Sequence, residues 1–345
     1  GLAYLDSRQR RHGGWGVLAV RDEKYGEVVV GRSALALLAF LGAGHYPGSG
    51  SRYEGVTRRA IDFLVTMQLP NGHFGARSSA YSHGIATYAL GEALLLSKDE
   101  SLRRPLKRAV EQILRHQQLA PYDRRHRGGW SYFYQDGHKY DEYPRVSVTV
   151  WQLMALETAR MGGIEVPAER LELAQGYLLS SWEDRMGRFL YNRDPERLAS
   201  AYPTLPGSTP AAAFVLQVLG NDADIVQIRR ALWMLAQHPP RRWAPADTRG
   251  FILRGQGNPY YWYYGTLALF VHGGDEWTVW NEALKDVLLP SQDDDGSWTP
   301  ISVYANTYAR DTDFDRSYTT ALNVLMLEVY YRYLTPFQQA ALEER

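Results

Sequence analysis

The chain has 345 residues, 45% of them apolar and 22% charged, and its 38 basic residues balance its 38 acidic ones. This balance provides no overall field that would attract nucleic acid, and we expect no nucleic-acid partner. The apolar stretches are too short and too interrupted to span a bilayer. With no cysteine, the chain has no disulfide framework, thiolate zinc site or cysteine nucleophile. Its 24 Tyr, 10 Trp and 10 Phe residues suit a large core or an aromatic cavity.

A short phrase recurs along the chain between pairs of helical segments. It reads Gln-x-x-x-Gly-x, followed by Trp or Phe, and the complete copies begin at Gln9, Gln68 and Gln292. Three eroded copies are assigned to Gln118 with Gly128 and Trp130, to Glu183 with Gly187 and Phe189, and to Gln237 with Trp243. The aromatic residues stand at positions 15, 74, 130, 189, 243 and 298, so the period is 54 to 59 residues. Such a period indicates a repeat architecture.

Each repeat contains two kinds of helix. The first is amphipathic, as in the stripe of Val56, Ala60 and Leu64, and indicates a helix with one face towards water. The second is apolar nearly all round, which indicates a helix enclosed by protein. Five of these segments are residues 33–40, 146–159, 209–219, 260–271 and 318–333, and the remaining inner helix begins near Tyr81.

Six amphipathic helices outside and six apolar helices inside predict an all-α (α/α)6 toroid. Because the first and last repeats carry complete copies of the phrase, we expect them to meet and close the ring. We expect one domain over residues 1–334 and a tail or linker over residues 335–345. The chain begins at Gly1 rather than Met, so we interpret it as an excised domain, and the sequence leaves open whether other domains flank it.

The Gln-x-x-x-Gly-x-Trp phrase resembles the QW motif of the squalene–hopene cyclase and protein prenyltransferase superfamily, over essentially the whole chain. The resemblance implies that Gln9, Gln68 and Gln292 brace helix ends, and that the aromatic rings stack on neighbouring repeats. It also implies a central cavity that opens where the inner helices begin and that takes a small hydrophobic ligand, an isoprenoid.

The resemblance places an acid motif, Asp-x-Asp-Asp, at the head of the last inner helix. The nearest match is Asp313-Phe-Asp315-Arg316, with arginine in the fourth position. A nearby guanidinium favours the carboxylate, whereas protonation of an alkene needs the neutral acid. We therefore name Asp313 and Asp315 as candidate acid/base groups, with an N-cap and ion pair as the alternative. In prenyltransferases the same stretch holds a zinc-binding histidine, which Arg316 replaces here, so we expect no metal and no cofactor.

Other residues near the starts of the inner helices are candidates to line the cavity: His83, Arg145, Trp151, Tyr261, Trp262, Tyr264 and Tyr318. Only one or two of the five consecutive aromatics at 260–264 can face the axis. His83 is alternatively a hydrogen-bonded core histidine. Arg145, if buried, needs an anionic partner such as Asp315. We interpret the Asp293-Asp294-Asp295 run as a solvated turn, and the basic residues at 115–127 as a solvated loop or an anion or partner surface.

The sequence leaves three functions open. The first is a cyclase- or prenyltransferase-like toroid that binds an isoprenoid, catalytic or not. The second is a non-catalytic module that holds a protein partner. The third is a carbohydrate-active (α/α)6 enzyme, which needs two converging carboxylates or a set such as His83, Arg145 and Tyr264. A deep aromatic chamber would favour the first, a filled centre the second, and a cleft with paired carboxylates the third.

Overall fold

A computed structural model describes residues 1–16, 23–74, 79–121, 123–134, 142–199, 205–221, 225–242, 255, 258–300 and 313–332. Within helices of this part, the side chains of residues 23–28, 313–315 and 332 are not described. Trp243 and the segment 335–345 lie outside the described residues.

The outer helices of the six repeats are amphipathic, as the sequence indicates. In chain order they are α1 (Leu2–Arg8), α3 (Glu54–Thr66), α5 (Arg103–Arg115), α7 (Ala168–Ser180), α10 (Val226–Gln237) and α12 (Gly274–Leu288). On α5, Leu106, Ala109, Val110 and Ile113 are buried, and the charged residues lie between them. This spacing turns one face of the helix towards the inner ring.

The inner helices follow the repeated turns. They are α2 (Glu23–Gly42), α4 (Ala80–Ser97), α6 (Val146–Met161), α9 (Ser208–Val218), α11 (Pro259–His272) and α13 (Asp313–Leu327). Short additions are α8 (Pro195–Ala199), α14 (Val329–Arg332), and the paired strands β1 (Trp182–Glu183) and β2 (Arg188–Phe189). Every residue of α4 from Ala80 to Leu94 except Tyr81 is buried, as expected for a helix enclosed by protein.

The inner helices form a closed ring. Each packs against the next in chain order, and α13 packs against α2 and α1. The predicted (α/α)6 toroid is therefore confirmed, and its first and last repeats meet. No helix in the described part of the chain has the length and hydrophobicity to cross a bilayer.

The glutamine of the repeated turn joins one repeat to the next. Gln9 Nε2 donates to Gly13 O at 2.8 Å inside its turn, and to Val56 O at 2.9 Å on the following outer helix. Gln68 and Gln292 make the equivalent bond within their own turns. Because such a side chain satisfies carbonyl groups of two segments, it sets the distance between neighbouring repeats.

The glycine of the turn allows a close approach to the next outer helix. Gly13 and Gly128 have φ of +91° and +96°, a conformation that L side chains rarely adopt. A Cβ on Gly13 would lie 2.1 Å from Arg59 O, and one on Gly128 would lie 2.0 Å from Leu173 O. Both the backbone conformation and the neighbouring carbonyl therefore require glycine here.

The third turn differs from the sequence assignment by one residue. Gln117, not Gln118, donates to Gly128 O at 2.9 Å and to Arg170 O at 2.8 Å on the next outer helix. Gln118 instead donates to Ser131 Oγ at 3.0 Å. The ten residues between Gln117 and Gly128, against three in the complete copies, hid the register in the sequence.

The fourth turn shows the same offset. In the second and sixth repeats the glutamine pairs with the aromatic residue across the turn. In the fourth repeat Trp182 pairs with Phe189, and Glu183 pairs with Arg188. Trp182 therefore occupies the glutamine position, and the assignment of Glu183 to it was wrong by one residue. Gly187 keeps the positive φ of the motif glycine, at +63°.

The aromatic residue connects the two helices of its own repeat. Trp15 Nε1 donates to Leu5 O at 2.7 Å on the outer helix, and Trp15 N donates to Ser33 Oγ at 2.8 Å on the inner helix. The acceptors of the equivalent backbone N–H in the third, fourth and sixth repeats are Thr149, Thr209 and Thr320. The turn thus leaves few buried backbone groups unsatisfied where two helix ends meet.

Candidate functional site

Aromatic side chains from four inner helices meet at the axis of the ring. We call this group, Tyr81, Trp151, Tyr260, Tyr264 and Tyr318, the tyrosine cluster. The rings of Tyr260 and Tyr264 lie 4.9 Å apart, and those of Trp151 and Tyr264 lie 5.7 Å apart, both edge to face. Since α9 stands between α6 and α11 in the ring, the contact between Trp151 and Tyr264 reaches across the centre.

Hydroxyl groups and one cation complete the cluster. Tyr81 Oη donates to Ser147 Oγ at 2.5 Å, and Tyr260 Oη lies 3.5 Å from Ser147 O. The Arg32 guanidinium from α2 lies 5.6 Å from the centre of the Tyr318 ring, within the range of a cation–π contact. Five of the six inner helices thus contribute to one site.

Three tyrosines of the cluster are only partly buried. Tyr81, Tyr260 and Tyr318 keep part of their surface accessible, whereas Trp151 and Tyr264 are fully buried behind them. Burial nevertheless raises the pKa of Tyr81, Tyr260 and Tyr318 above the usual value for a phenol. We interpret these side chains, which are desolvated by the protein around them and still accessible, as the lining of a recess inside the ring. Their hydroxyls are neutral at pH 7 and can donate hydrogen bonds.

The buried carboxylates that the structure describes lie away from this recess. Glu92 and Glu157 lie in the second halves of α4 and α6, and Glu328 follows α13, whereas the tyrosines lie in the first halves of their helices. Glu157 binds Arg160 at 2.6 Å. The described part of the recess is therefore aromatic and hydroxyl-rich rather than acidic.

The two candidate acids begin the sixth inner helix. Asp313 and Asp315 are the first and third residues of α13, and their side chains lie outside the description. Asp315 precedes Tyr318 by three residues, so both occupy neighbouring positions on one side of the helix. Arg316 donates to Asp293 Oδ2 at 2.6 Å. Asp293 is thus an ion-pair partner that ties α13 to the sixth turn, in place of the purely solvated role expected for it.

His83, the fourth residue of α4, lies against the second turn, between the inner and outer helices. Its Nε2 bonds to Ala109 O at 2.9 Å, and its Nδ1 accepts from Phe74 N at 3.3 Å. The second of these bonds replaces the one made by serine or threonine in the first, third, fourth and sixth repeats. Burial, followed by the neighbouring His73, lowers the His83 pKa to about 3. The ring is therefore neutral at pH 7, with its proton on the nitrogen that faces the carbonyl.

The described contacts of Tyr261 and Arg145 are made with residues outside the tyrosine cluster. Tyr261 Oη donates to His238 O at 2.9 Å, which directs Tyr261 towards the outer helices. Trp262 is buried. Arg145 caps α6, donates to Tyr143 O, and lies 4.2 Å from the centre of the Tyr132 ring.

Sequence reasoning did not select four residues of the site: Arg32, Tyr81, Ser147 and Tyr260. Three of them share a position, since Tyr81, Ser147 and Tyr260 are each the second residue of their helices. An alignment of the repeats on their helix starts would have revealed this position. Within the run at 260–264, Tyr260 and Tyr264, four residues apart, lie on one side of α11 and contact each other. Tyr263 also contacts the cluster, with its ring 4.9 Å from that of Tyr264 and 6.1 Å from that of Trp151.

No protein-family model and no curated protein sequence matches the chain. Solved structures do share the fold. The type II terpene cyclase MstE from Scytonema, in complex with geranylgeranyl dihydroxybenzoate, is 15% identical with a TM-score of 0.62, over 96% of this chain and 95% of that one. An α-1,6-mannanase of Salegentibacter, in complex with α-1,6-mannotriose, is 10% identical with a TM-score of 0.62, over 94% and 96%. A protein from Actinoplanes is 19% identical with a TM-score of 0.55, over 94% and 96%.

These structural similarities establish the toroid fold and do not assign a ligand or an activity. One neighbour binds a prenylated substrate, and another binds a mannose trisaccharide. The same architecture therefore accommodates both isoprenoid and carbohydrate ligands.

Proposed function

We propose that the ring binds a small, largely apolar ligand of the isoprenoid class at the tyrosine cluster. The observation that carries this proposal is the recess lined by Tyr81, Tyr260 and Tyr318 and closed behind by Trp151 and Tyr264. Ligand pockets of this kind combine aromatic walls with a few polar groups. The resemblance of the repeated turns to QW motifs and the prenylated substrate of MstE favour the same ligand class.

The aromatic side chains and the hydroxyl groups would contribute to ligand binding in different ways. Burying about 300 Å² of prenyl surface against the rings is worth roughly 7 kcal/mol, before the costs of association. The Tyr81 and Tyr260 hydroxyls would orient a polar end of the ligand. The ring faces would also stabilise a cationic group, since aromatic quadrupoles attract positive charge.

Catalysis at this site would come from the head of α13. We propose Asp313 and Asp315 as the acid/base groups, because the same helix carries Tyr318 to the cluster. Arg316, one position later, is bonded to Asp293. An aspartic acid that protonates an alkene must be neutral, and desolvation by surrounding aromatic rings would favour the neutral form.

A carbohydrate ligand is the second candidate. The hydroxyls of Tyr81, Ser147 and Tyr260 suit sugar hydroxyls, and aromatic faces stack on pyranose rings. The mannanase of the same fold supports this candidate. Its weakness is chemical: glycoside hydrolysis usually needs two carboxylates, and the described buried carboxylates lie near the other ends of their helices.

Tryptophan fluorescence can distinguish the two ligand classes, because Trp151 belongs to the cluster. We expect geranylgeraniol to give a saturable change and α-1,6-mannotriose to give none. Tyr318→Ala should weaken geranylgeraniol binding at least tenfold. Tyr331→Ala is the matched control, since this tyrosine is 71% exposed and lies outside the cluster.

Native mass spectrometry of the purified protein provides a second readout, in which we expect a retained lipid. Saturable binding of mannotriose with no response to geranylgeraniol would replace the first candidate with the second. No response to either ligand, together with no retained lipid, would refute both and leave the protein-binding scaffold.

A further inference from the structure

A basic groove lies beside the third turn, on the outside of the ring. Its volume is about 870 Å³, and it exists because the third turn carries ten residues where the complete turns carry three. The side chains discussed below, all from its lining, are Arg115, Leu119, Asp123, Arg124, Arg125, His126, Glu142, Tyr143, Arg193 and Leu198.

The groove has an excess of positive charge. Four arginines line it, against the two carboxylates of Asp123 and Glu142, so the lining carries a net charge of +2 with histidine neutral (4 − 2 = 2). One carboxylate is already engaged: Asp123 Oδ2 lies 2.7 Å from Arg125, which holds the Asp123 pKa at about 2. The three other arginines thus face a single carboxylate in the lining, that of Glu142.

Two recessed side chains have polar atoms with no hydrogen-bond partner among the residues that the structure describes. His126 is only 6% exposed, and its Nε2 makes no hydrogen bond to any residue that the structure describes. The nearest carboxylate oxygen in an ion-pair contact is Asp123 Oδ2, at 3.9 Å. Arg193 donates from one terminal nitrogen to Ser180 O, while its buried Nε has no acceptor in the described part of the chain.

Buried polar atoms in folded proteins nearly always have hydrogen-bond partners. Two that lack them in one basic groove provide the arrangement that recognises a multiply charged oxyanion, for which arginine is especially suited. We propose that this groove is a binding site for a phosphate-bearing small molecule. Its phosphate oxygens would accept from Arg193 and His126 and neutralise Arg115 and Arg124.

The rest of the groove fits the organic part of such a ligand. Leu119 and Leu198 provide apolar surface, and Tyr143 provides an aromatic ring that lies 5.4 Å from the ring of His126. The concave shape favours a small molecule over an acidic protein surface, because His126 and Arg193 are recessed. The site lies apart from the tyrosine cluster and does not depend on the proposed function.

Calorimetric titration with inorganic pyrophosphate tests the site. We expect saturable binding to the wild type, weakened at least tenfold in the double variant Arg115→Gln, Arg124→Gln. The control is the double variant Arg104→Gln, Lys107→Gln, which removes the same charge from exposed positions of α5 outside the groove. This control should bind pyrophosphate as the wild type does.

A second measurement keeps the test valid if the groove variant folds poorly. Burial lowers the pKa of His126, and a bound oxyanion favours the imidazolium. The His126 pKa, followed by NMR in the wild type, should therefore rise by at least one unit at saturating pyrophosphate. Any one of four results would overturn the proposal. These are no saturable heat with pyrophosphate, an equal loss of pyrophosphate affinity in the control variant, an unchanged His126 pKa, and binding of a polyglutamate peptide without binding of pyrophosphate.

Discussion

Replacing Gln117 with alanine tests the register of the third turn. Its side chain is 4% exposed, donates to Gly128 O and Arg170 O, and accepts from Arg170 Nε at 2.6 Å. Each such bond contributes about 0.5–1.5 kcal/mol. We therefore expect Gln117→Ala to lower the free energy of unfolding by roughly 3 kcal/mol. The sequence assignment would instead make Gln118 the important residue.

Gln118→Ala is the matched control, one position along the chain. Gln118 is only partly buried and donates to Ser131 Oγ and Glu142 O, at 3.0 and 3.2 Å. Water can replace these bonds, so the loss should be about 1 kcal/mol or less. Urea titrations followed by circular dichroism at pH 7 give both values. Equal losses, or a larger loss for Gln118→Ala, would refute the register described here.

Three further substitutions test other contacts. The His83 pKa falls from about 6.5 in the unfolded chain to about 3 in the folded one, so its contribution to stability is complete above pH 6.5 and is lost as the pH falls towards 3. Between these values His83 should lower the free energy of unfolding by about 1.4 kcal/mol for each unit that the pH falls, and His83→Thr should abolish this dependence. Urea titrations of both proteins at pH 6.5 and 4.5 measure it, and an unchanged pH dependence in the variant would contradict this assignment. Gly128→Ala should lower the free energy of unfolding by about 2–5 kcal/mol, because of the positive φ and the adjacent carbonyl. The control Gly176→Ala, in open space on α7, should leave it unchanged or raise it by up to about 1 kcal/mol. Similar melting temperatures for the two variants would contradict the steric argument. Asp293→Asn should cost no more than about 1 kcal/mol, since its ion pair with Arg316 is partly exposed, and a urea titration showing a loss above 2 kcal/mol would indicate a larger network.

The architecture could be predicted from the sequence because it depends on periodicity. The stripes of the outer helices, the apolar inner helices and the 54–59-residue period together determine a ring of hairpins. The brace at Gln9 follows a local pattern of seven residues. The one at Gln117 could not be predicted in the same way, because a ten-residue insertion separates the glutamine from its glycine.

The site was less accessible to sequence reasoning because its contacts join distant repeats. Tyr81 and Ser147 are 66 residues apart in the chain, and their hydrogen bond depends on how α4 and α6 are rotated in the ring. His83 illustrates a different difficulty. A buried histidine at a helix head suggests acid/base chemistry, but only the position shared with Thr149 and Thr209 shows that it acts as an acceptor for the turn.

The packing of the first repeat against the sixth has a consequence for how the protein unfolds. An open solenoid has two terminal repeats with one neighbour each, and these can fray independently. Here α13 touches α2 and α1, so every repeat has two neighbours, and losing any one removes two interfaces. Unfolding should therefore be strongly cooperative. For the same reason, joining the original termini with a linker of sufficient length and cutting the chain in another inter-repeat loop should preserve the whole circle.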